Sequence, residues 1–241
     1  MQRGREAVEM ISWTIHHLFE TESTNLDARA GRPGDVFTAD FQTAGRGRLD
    51  HRWHSARGEN LVMSVVLPVA GIDPADVATL PLAVGLAVVR AVRSVLDGSA
   101  PALKWPNDVL VDGRKLAGIL CERVDDRVIA GIGVNVREIE FPDEIAARAT
   151  SLANLGCDRA VEDVRDVVLS SLADVFVRWA DGGFAALYDE IAAIDWLKGR
   201  FVSVFQTDGD PVPVSGRCGG IRNDGSLDVE GNVVFAGEAR S

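Results

Sequence analysis

The chain has 241 residues, 46% of them hydrophobic, which allows one sizeable domain with a small appendage and excludes a disordered linker protein. Its 25 Lys and Arg stand against 36 Asp and Glu, a formal net charge of −11 that disfavours general binding to a phosphate backbone. The three cysteines, Cys121, Cys157 and Cys218, are far apart; this excludes a C-x-x-C metal or redox pair and fits a reduced, cytosolic setting.

The first residues, MQRGREAVEMISW, carry Arg3, Arg5, Glu6 and Glu9 and lack an apolar signal core. The longest apolar run, Leu80 to Val89, falls well short of the ~18 residues that a membrane span needs, so a cytoplasmic location is expected. The stretch ISWTIHHLFETESTNLDARA predicts a strand, a turn and a helix start, with Thr24 and Asp27 at capping-box spacing. His16 and His17 match no ligand spacing and read as structural. DVFTADFQT and NLVMSVVLP predict strands on either side of a long loop. A helix follows, with Pro81 in its first turn, Gly98 at its stop and a mostly apolar stripe through Leu82, Leu86, Val89 and Val92.

Four strand signals come next, ALKW, DVLV, KLAGILCERV and RVIAGIGVNV, with hairpin turns at Asp112-Gly113 and Asp125-Asp126. PDEIAARATSLANLG and the segment from Val161 to Ile194 return to helical spacing. From about Lys198, short β-type runs alternate with Asp-Gly and Gly-Asn turns, which predicts a small barrel of about four strands. The expected domains are residues 1–197 and 198–241. Helices mixed with antiparallel hairpins give an α+β fold rather than a Rossmann fold, and neither G-x-x-x-x-G-K-[ST] nor G-x-G-x-x-G occurs.

Two segments carry chemistry. In TAGRGRLDHRW, glycines let backbone amides approach an anion, and arginines supply permanently charged forks for phosphate or carboxylate. Trp53 within this loop can serve the core or cover a ligand. Taken alone, the loop also fits a solvated basic segment or a nucleic-acid contact. The second segment is KWPNDVLVDGRKLAGILCE, from Lys104 to Glu122. A two-residue turn at Asp112-Gly113 sets Leu110 opposite Lys115 and Asp108 opposite Ala117, so Asp108, Leu110, Lys115 and Ala117 are expected on one face. A plain surface ion pair of Asp108 with Lys115 would carry little energy. Continuing the register sets Gly118 opposite Gly133, with Gly131 nearby. A flat ligand on this strip would explain bare backbone there. Strict alternation puts these glycines on the face away from Lys115, and a bulge near Gly118 would repair that.

Taken together, STN (23–25), QTAGRGR (42–48) with Trp53, KWPND (104–108), GRKLAGIL (113–120), GIGVNV (131–136) and a terminal small barrel with Gly237-Glu238 resemble the biotin protein ligase family from about Trp13 onward. The resemblance implies a class II synthetase-like catalytic domain of mixed, largely antiparallel sheet and helices, and an SH3-like C-terminal barrel. It implies that biotin and MgATP give biotinyl-5'-AMP, and that a lysine of a biotin carboxyl carrier domain then receives the biotin. Magnesium would arrive with ATP and need few protein ligands. The implied biotin site is Ser23, Thr24, Asn25, Gln42, Gly45, Arg46, Gly47, Arg48, Lys115, Gly118 and Gly131. The implied nucleotide contacts are Arg46, Arg48, Trp53, Asn107, Lys115 and Asn135. Arg46, Arg48 and Lys115 would neutralise the repulsion between two anions, and Asp108 would orient or deprotonate the incoming amine. Some members carry a DNA-binding helix-turn-helix. Only about twenty residues precede Ser23, so a monofunctional ligase without a DNA role is expected, as a monomer or weak homodimer.

Two rivals remain open. A lipoate ligase or octanoyltransferase would share the fold, and a thiol route would need a cysteine; Cys121 reads instead as a small buried hydrophobe. A non-catalytic nucleic-acid-binding module would lack a use for Lys115 beside Asp108 and would want interleaved aromatics. The chain departs from the resemblance at RLDHRW, where Asp50 and His51 replace a second Gly-Arg pair. Arg52 can substitute, or Asp50 can pair with Arg48. A looser lid is expected, so the double variant D50G/H51R should retain biotinyl-AMP longer than the natural chain, read as the lifetime of the isolated adenylate complex.

Overall fold

The computed structural model describes residues 12–49, 51–206 and 212–240. Its larger sheet contains β1 (Thr14–Leu18), β2 (Asp35–Ala39), β3 (Asn60–Pro68), β4 (Ala102–Lys104), β5 (Asp108–Val111), β6 (Arg114–Val124) and β7 (Arg127–Asn135), in the spatial order β1-β2-β3-β7-β6-β5-β4. Only β1 and β2 run parallel; the other neighbours are antiparallel. The hairpin between β5 and β6 turns at Asp112-Gly113 with φ of 50° and 76°, the left-handed pair that a two-residue turn requires. A second antiparallel sheet follows, with β8 (Phe201–Phe205), β9 (Val214–Ile221), β10 (Leu227–Val229), β11 (Asn232–Val234) and β12 (Glu238–Arg240) in the order β11-β10-β9-β8-β12. It has one strand more than expected, because Glu238–Arg240 pairs with β8.

Helices α1 (Thr24–Asp27), α2 (Pro74–Ala78), α3 (Leu80–Val95), α4 (Asp143–Ala146), α5 (Val161–Gly182) and α6 (Tyr188–Ala193) complete the fold. The expected capping box at α1 does not form. Ser23 is the N-cap residue, and the Asp27 carboxylate accepts the Thr21 hydroxyl at 2.7 Å instead of closing on the helix backbone. The helix expected across PDEIAARATSLANLG is also cut short, to α4 and a 3-10 turn at Ala153–Leu155. Backbone pairing competes there: the Lys115 N–H donates to the Arg148 carbonyl at 2.7 Å, and the Thr150 N–H donates to the Lys115 carbonyl at 2.9 Å. His16 and His17 pair with neighbours on the β1–β2 edge, His16 with Asp35 at 3.1 Å and His17 with Thr38 at 3.0 Å. No helix among the described residues is long and apolar enough to cross a membrane.

Alternation along the central strands separates two faces. Met63, Val65, Ile132 and Val134 enter one core with Leu86 of α3 and Val175 and Trp179 of α5. The residues between them, Ser64, Gly131 and Gly133, face the other way, toward α1 and the arginine loop. The Trp179 indole N–H is satisfied by Thr79 Oγ1 at 3.0 Å. Arg90 on α3 donates to Asp174 on α5 at 2.6 Å and also to Glu190 on α6, tying the three helices together.

Helix α3 approaches β4 closely because position 85 has no side chain. A Cβ at Gly85 would lie 2.4 Å from Leu103 Cδ1, and Leu103 is fully buried. Gly85→Val should therefore lower the unfolding free energy by about 1–3 kcal/mol through overpacking, read as a lower urea midpoint at unchanged slope.

Candidate active site

A cavity of about 1000 Å³ opens on the glycine face of the large sheet. Helix α1, the arginine loop, the β5–β6 hairpin and the end of the barrel all line it. The expected bulge is present. β5 and β6 slip register between Val109 and Leu110, so that Val109 faces Ala117 and Leu110 faces Lys115, with Leu116 as the extra residue. The consequence corrects the expected face: Asp108 pairs with Gly118, not with Ala117, and Ala117 turns into the core with Leu116. Asp108, Leu110, Lys115 and Gly118 thus all line the cavity. A Cβ on Gly118 would lie 3.1 Å from Lys115 Cε.

The floor comes from α1 and its neighbours. Ser23, Thr24 and Asn25 are all buried beneath the cavity and line it. The Ser23 carbonyl accepts the Leu26 N–H at 2.9 Å, which starts α1. Gln42 Oε1 accepts the Thr24 N–H at 2.8 Å. The bare glycines have occupants from the chain itself. A Cβ on Gly131 would lie 2.3 Å from Asn25 Oδ1, and one on Gly133 would lie 2.5 Å from Cε2 of Trp53. The flat group lying on the strip is therefore the Trp53 indole, where a ligand was expected. Gly47 lines the cavity, whereas Gly45 does not. Gly45 closes the loop base instead, its carbonyl accepting the Trp53 N–H at 3.0 Å.

The charged groups gather at one end. Lys115 Nζ lies 2.7 Å from Asp108 Oδ1 and 5.7 Å from the centre of the Trp53 ring. Arg48 donates to Asn107 Oδ1 at 3.3 Å and to the Gly237 carbonyl at 3.2 Å, linking loop, hairpin and barrel. Burial pushes the Arg48 pKa down, against the opposing pull of the Asp108 and Glu238 charges. Asn107 is held in turn by its Nδ2 on the Ile119 carbonyl at 2.8 Å. Asn135 lines the cavity but spends its Nδ2 on the Thr150 carbonyl at 2.9 Å, which fixes the 148–150 segment. Arg46 reaches the same cavity as Lys115, while its guanidinium donates to Glu122 at 3.1 and 3.4 Å. Arg52 donates to the Thr43 carbonyl at 2.9 Å at the loop base. Asp50 lies outside the described residues, and with it the expected Asp50–Arg48 pairing.

Several residues here carried no role in the sequence reading. Lys104 lines the cavity beside Asp108, and burial pushes its pKa down. Glu238 lines it from the barrel. Burial alone would raise its pKa, but the Arg240 hydrogen bond and charge, with His51 and Lys104, hold it below the usual carboxylate range. Ser64 and Glu122 stand beneath and beside Asn25. Their signal was the period of two: Glu122 is four residues from Gly118 on one strand, and Ser64 pairs with Gly131. Cys121 has its thiol pKa pushed up to about 12 by burial, with the Glu122 charge adding to the effect, so it offers no thiolate.

The geometry gives a polar cleft with Arg48, Lys104, Lys115 and the carboxylates of Asp108 and Glu238 at one end, and a floor of hydrogen-bonding groups, with Arg46 held on Glu122 beside it, at the other. Comparison with known proteins agrees in kind. The model of the "Biotin/lipoate A/B protein ligase family" matches residues 8–137. A biotin--[acetyl-CoA-carboxylase] ligase of Mycobacterium tuberculosis is 41% identical over 145 residues, 57% of this chain and 54% of that protein. A protein of the same description from Paracoccus denitrificans is 34% identical over 172 residues, 67% of this chain and 71% of that one. The chain thus spans about half the length of the mycobacterial relative and more of the other. The structure of a biotin protein ligase from Aquifex aeolicus in complex with biotin and ATP superposes with a TM-score of 0.84 at 29% identity, covering 94% of this chain and 97% of that one. By sequence and by fold, the chain belongs to the biotin/lipoate A/B protein ligase family, and within it to the biotin protein ligases.

Proposed function

We propose that this protein is an ATP-dependent biotin protein ligase that makes biotinyl-5'-AMP and passes the biotin to a lysine of a biotin carboxyl carrier domain. The carrying observation is the convergence of Lys115, Asp108 and Arg48 from separate segments onto one cavity whose floor is Thr24, Asn25 and Gln42. Residues 1–197 form the catalytic part in this reading, and residues 198–241 help close the nucleotide end. The Gly237 carbonyl on Arg48 supports that closure.

In the first step the biotin carboxylate oxygen attacks the α-phosphorus of MgATP. A P–O bond forms, the α–β bridge breaks, and pyrophosphate leaves. Two anions must meet, so the cations at that end of the cavity do the main work. Lys115 sits at the charged end, beside the Gly118 backbone and the Trp53 ring, and can grip both the carboxylate and the α-phosphate. Arg46 and Arg48 add charge, and Trp53 over the glycine strip keeps water from the mixed anhydride. Asn107 and Asn135 stand on the nucleotide side. In the second step the carrier amine attacks the acyl carbon, an amide C–N bond forms and AMP leaves. A free lysine amine has a pKa of ~10.4 and must shed a proton. Asp108 is the carboxylate placed to take that proton or to orient the amine.

Incubation with biotin and α-labelled ATP should yield labelled biotinyl-AMP; an adenylate formed from lipoate or octanoate in its place would move the assignment to the neighbouring activity of the family. Lys115→Ala should slow adenylate formation by about 10²–10³-fold, measured as pyrophosphate release. Asp108→Asn should leave adenylate formation within a few fold and slow transfer from pre-formed biotinyl-AMP to the carrier by about 10²-fold.

A further inference from the structure

Beneath the cavity, the floor residues Thr24, Asn25 and Gln42 are joined by a chain of side-chain contacts to Ser64 and Glu122, to which none of the roles above is assigned. Asn25 Nδ2 lies 2.7 Å from Glu122 Oε2. Asn25 Oδ1 lies 2.6 Å from Ser64 Oγ, and Ser64 Oγ lies 2.7 Å from Thr24 Oγ1. Thr24 Oγ1 also lies 3.1 Å from Gln42 Oε1. Ser64 is fully buried, and Thr24 and Asn25 are nearly so.

The direction of this chain follows from counting hydrogens. An ionised carboxylate only accepts, so Glu122 demands the amide nitrogen of Asn25. The Leu120 carbonyl, 3.4 Å from the same nitrogen, makes the same demand. Asn25 therefore shows its oxygen to Ser64. An oxygen–oxygen contact of 2.6 Å needs a hydrogen between the atoms, and only the Ser64 hydroxyl has one. Ser64 has then spent its hydrogen, so the 2.7 Å contact must be filled by the Thr24 hydroxyl. Thr24 has now spent its own, and the longer 3.1 Å contact to Gln42 goes without. Every proton runs toward Glu122. Thr24 Oγ1 is left with lone pairs and no hydrogen for a ligand. Gln42 is fixed as well, since its oxygen takes the Thr24 N–H and its Nε2 remains a donor.

We propose that Glu122, acting through Asn25 and Ser64, is a positioning residue that makes Thr24 a pure acceptor beside the Gln42 donor, so that the floor selects a ring bearing adjacent N–H and C=O groups over a ring with neither. This rests on the biotin ligase reading, in which the ureido ring supplies both groups while a dithiolane or an alkyl chain supplies none. Arg46 and Arg29 lie on the same carboxylate at 3.1 and 3.4 Å, so the arginine loop is anchored to the group that sets the floor's polarity.

The test is steady-state adenylation by the full chain, comparing the natural protein with Glu122→Gln, Ser64→Ala and the control Arg29→Ala. If the natural protein makes no biotinyl-AMP, the ligase reading fails and this inference falls with it. If it does, Glu122→Gln and Ser64→Ala should each raise KM for biotin by about tenfold or more and narrow the preference for biotin over lipoate. In Ser64→Ala, which leaves the Glu122 carboxylate and its hold on Arg46 intact, KM for ATP, kcat and Tm should change little, and Arg29→Ala should match the natural protein. Unchanged KM for biotin in Ser64→Ala, or parallel losses in KM for both substrates and in Tm, would reduce the chain to a structural contact and overturn the proposal. Failure of both variants to fold would do the same.

Discussion

One extra residue governs the site. Leu116 is inserted in β6 opposite the step from Val109 to Leu110, and both Leu116 and Ala117 enter the core. Without that insertion, strict alternation would put Lys115 and Gly118 on opposite faces. With it, the ammonium, the Asp108 carboxylate and the bare glycine backbone share one cavity. The β6–β7 ladder starts only at Ala117, and at Lys115 the 148–150 segment takes the place of β7, bonding both backbone groups of that residue at 2.7 and 2.9 Å. The lysine is held by two main-chain bonds to that segment, and its side chain lies in the cavity beside Asp108.

Around that point the chain builds its cavity by covering bare backbone with its own side chains. Trp53 lies on Gly118 and Gly133, and Asn25 lies on Gly131. Glycine inside a strand weakens the strand, and here the close approach of an indole and an amide offsets that loss. The arginine loop is correspondingly well tied. Arg46 reaches Glu122, Arg48 reaches Asn107 and Gly237, and His54 meets the buried Glu138 at 2.9 Å. An overall acidic protein thus brings cations to one cavity, where the partial burial of Arg48 and Lys104 weakens solvent screening and strengthens their pull on an anion.

The barrel belongs to this arrangement. Asp195 accepts the N–H groups of Leu197 and Ile221 at 2.9 Å each, and Trp105 donates to the Gly225 carbonyl at 3.1 Å. The barrel then presents Glu238, Ala239 and Arg240 to the cavity. These contacts give the small sheet a place in the site as well as on it.

Much was legible in the sequence. Period-two runs and Asp112-Gly113 marked the strands and the hairpin, and the loop with its glycines and arginines marked an anion site, because these depend on residues close together in the chain. The motifs STN, GRGR and KWPND also pointed to the family. Three things came only with the tertiary structure. The short helix at α4 could not be read locally, since Lys115, far back in the chain, claims the Arg148 carbonyl and the Thr150 amide. The occupant of the glycine strip could not be read either, because Trp53 arrives from a loop some eighty residues before Gly133. The roles of Ser64, Glu122 and Glu238 depend on which side chains stand across from them, and pairing between distant strands decides that. Sequence determined which chemistry the chain could assemble; packing between remote segments decided which atoms meet.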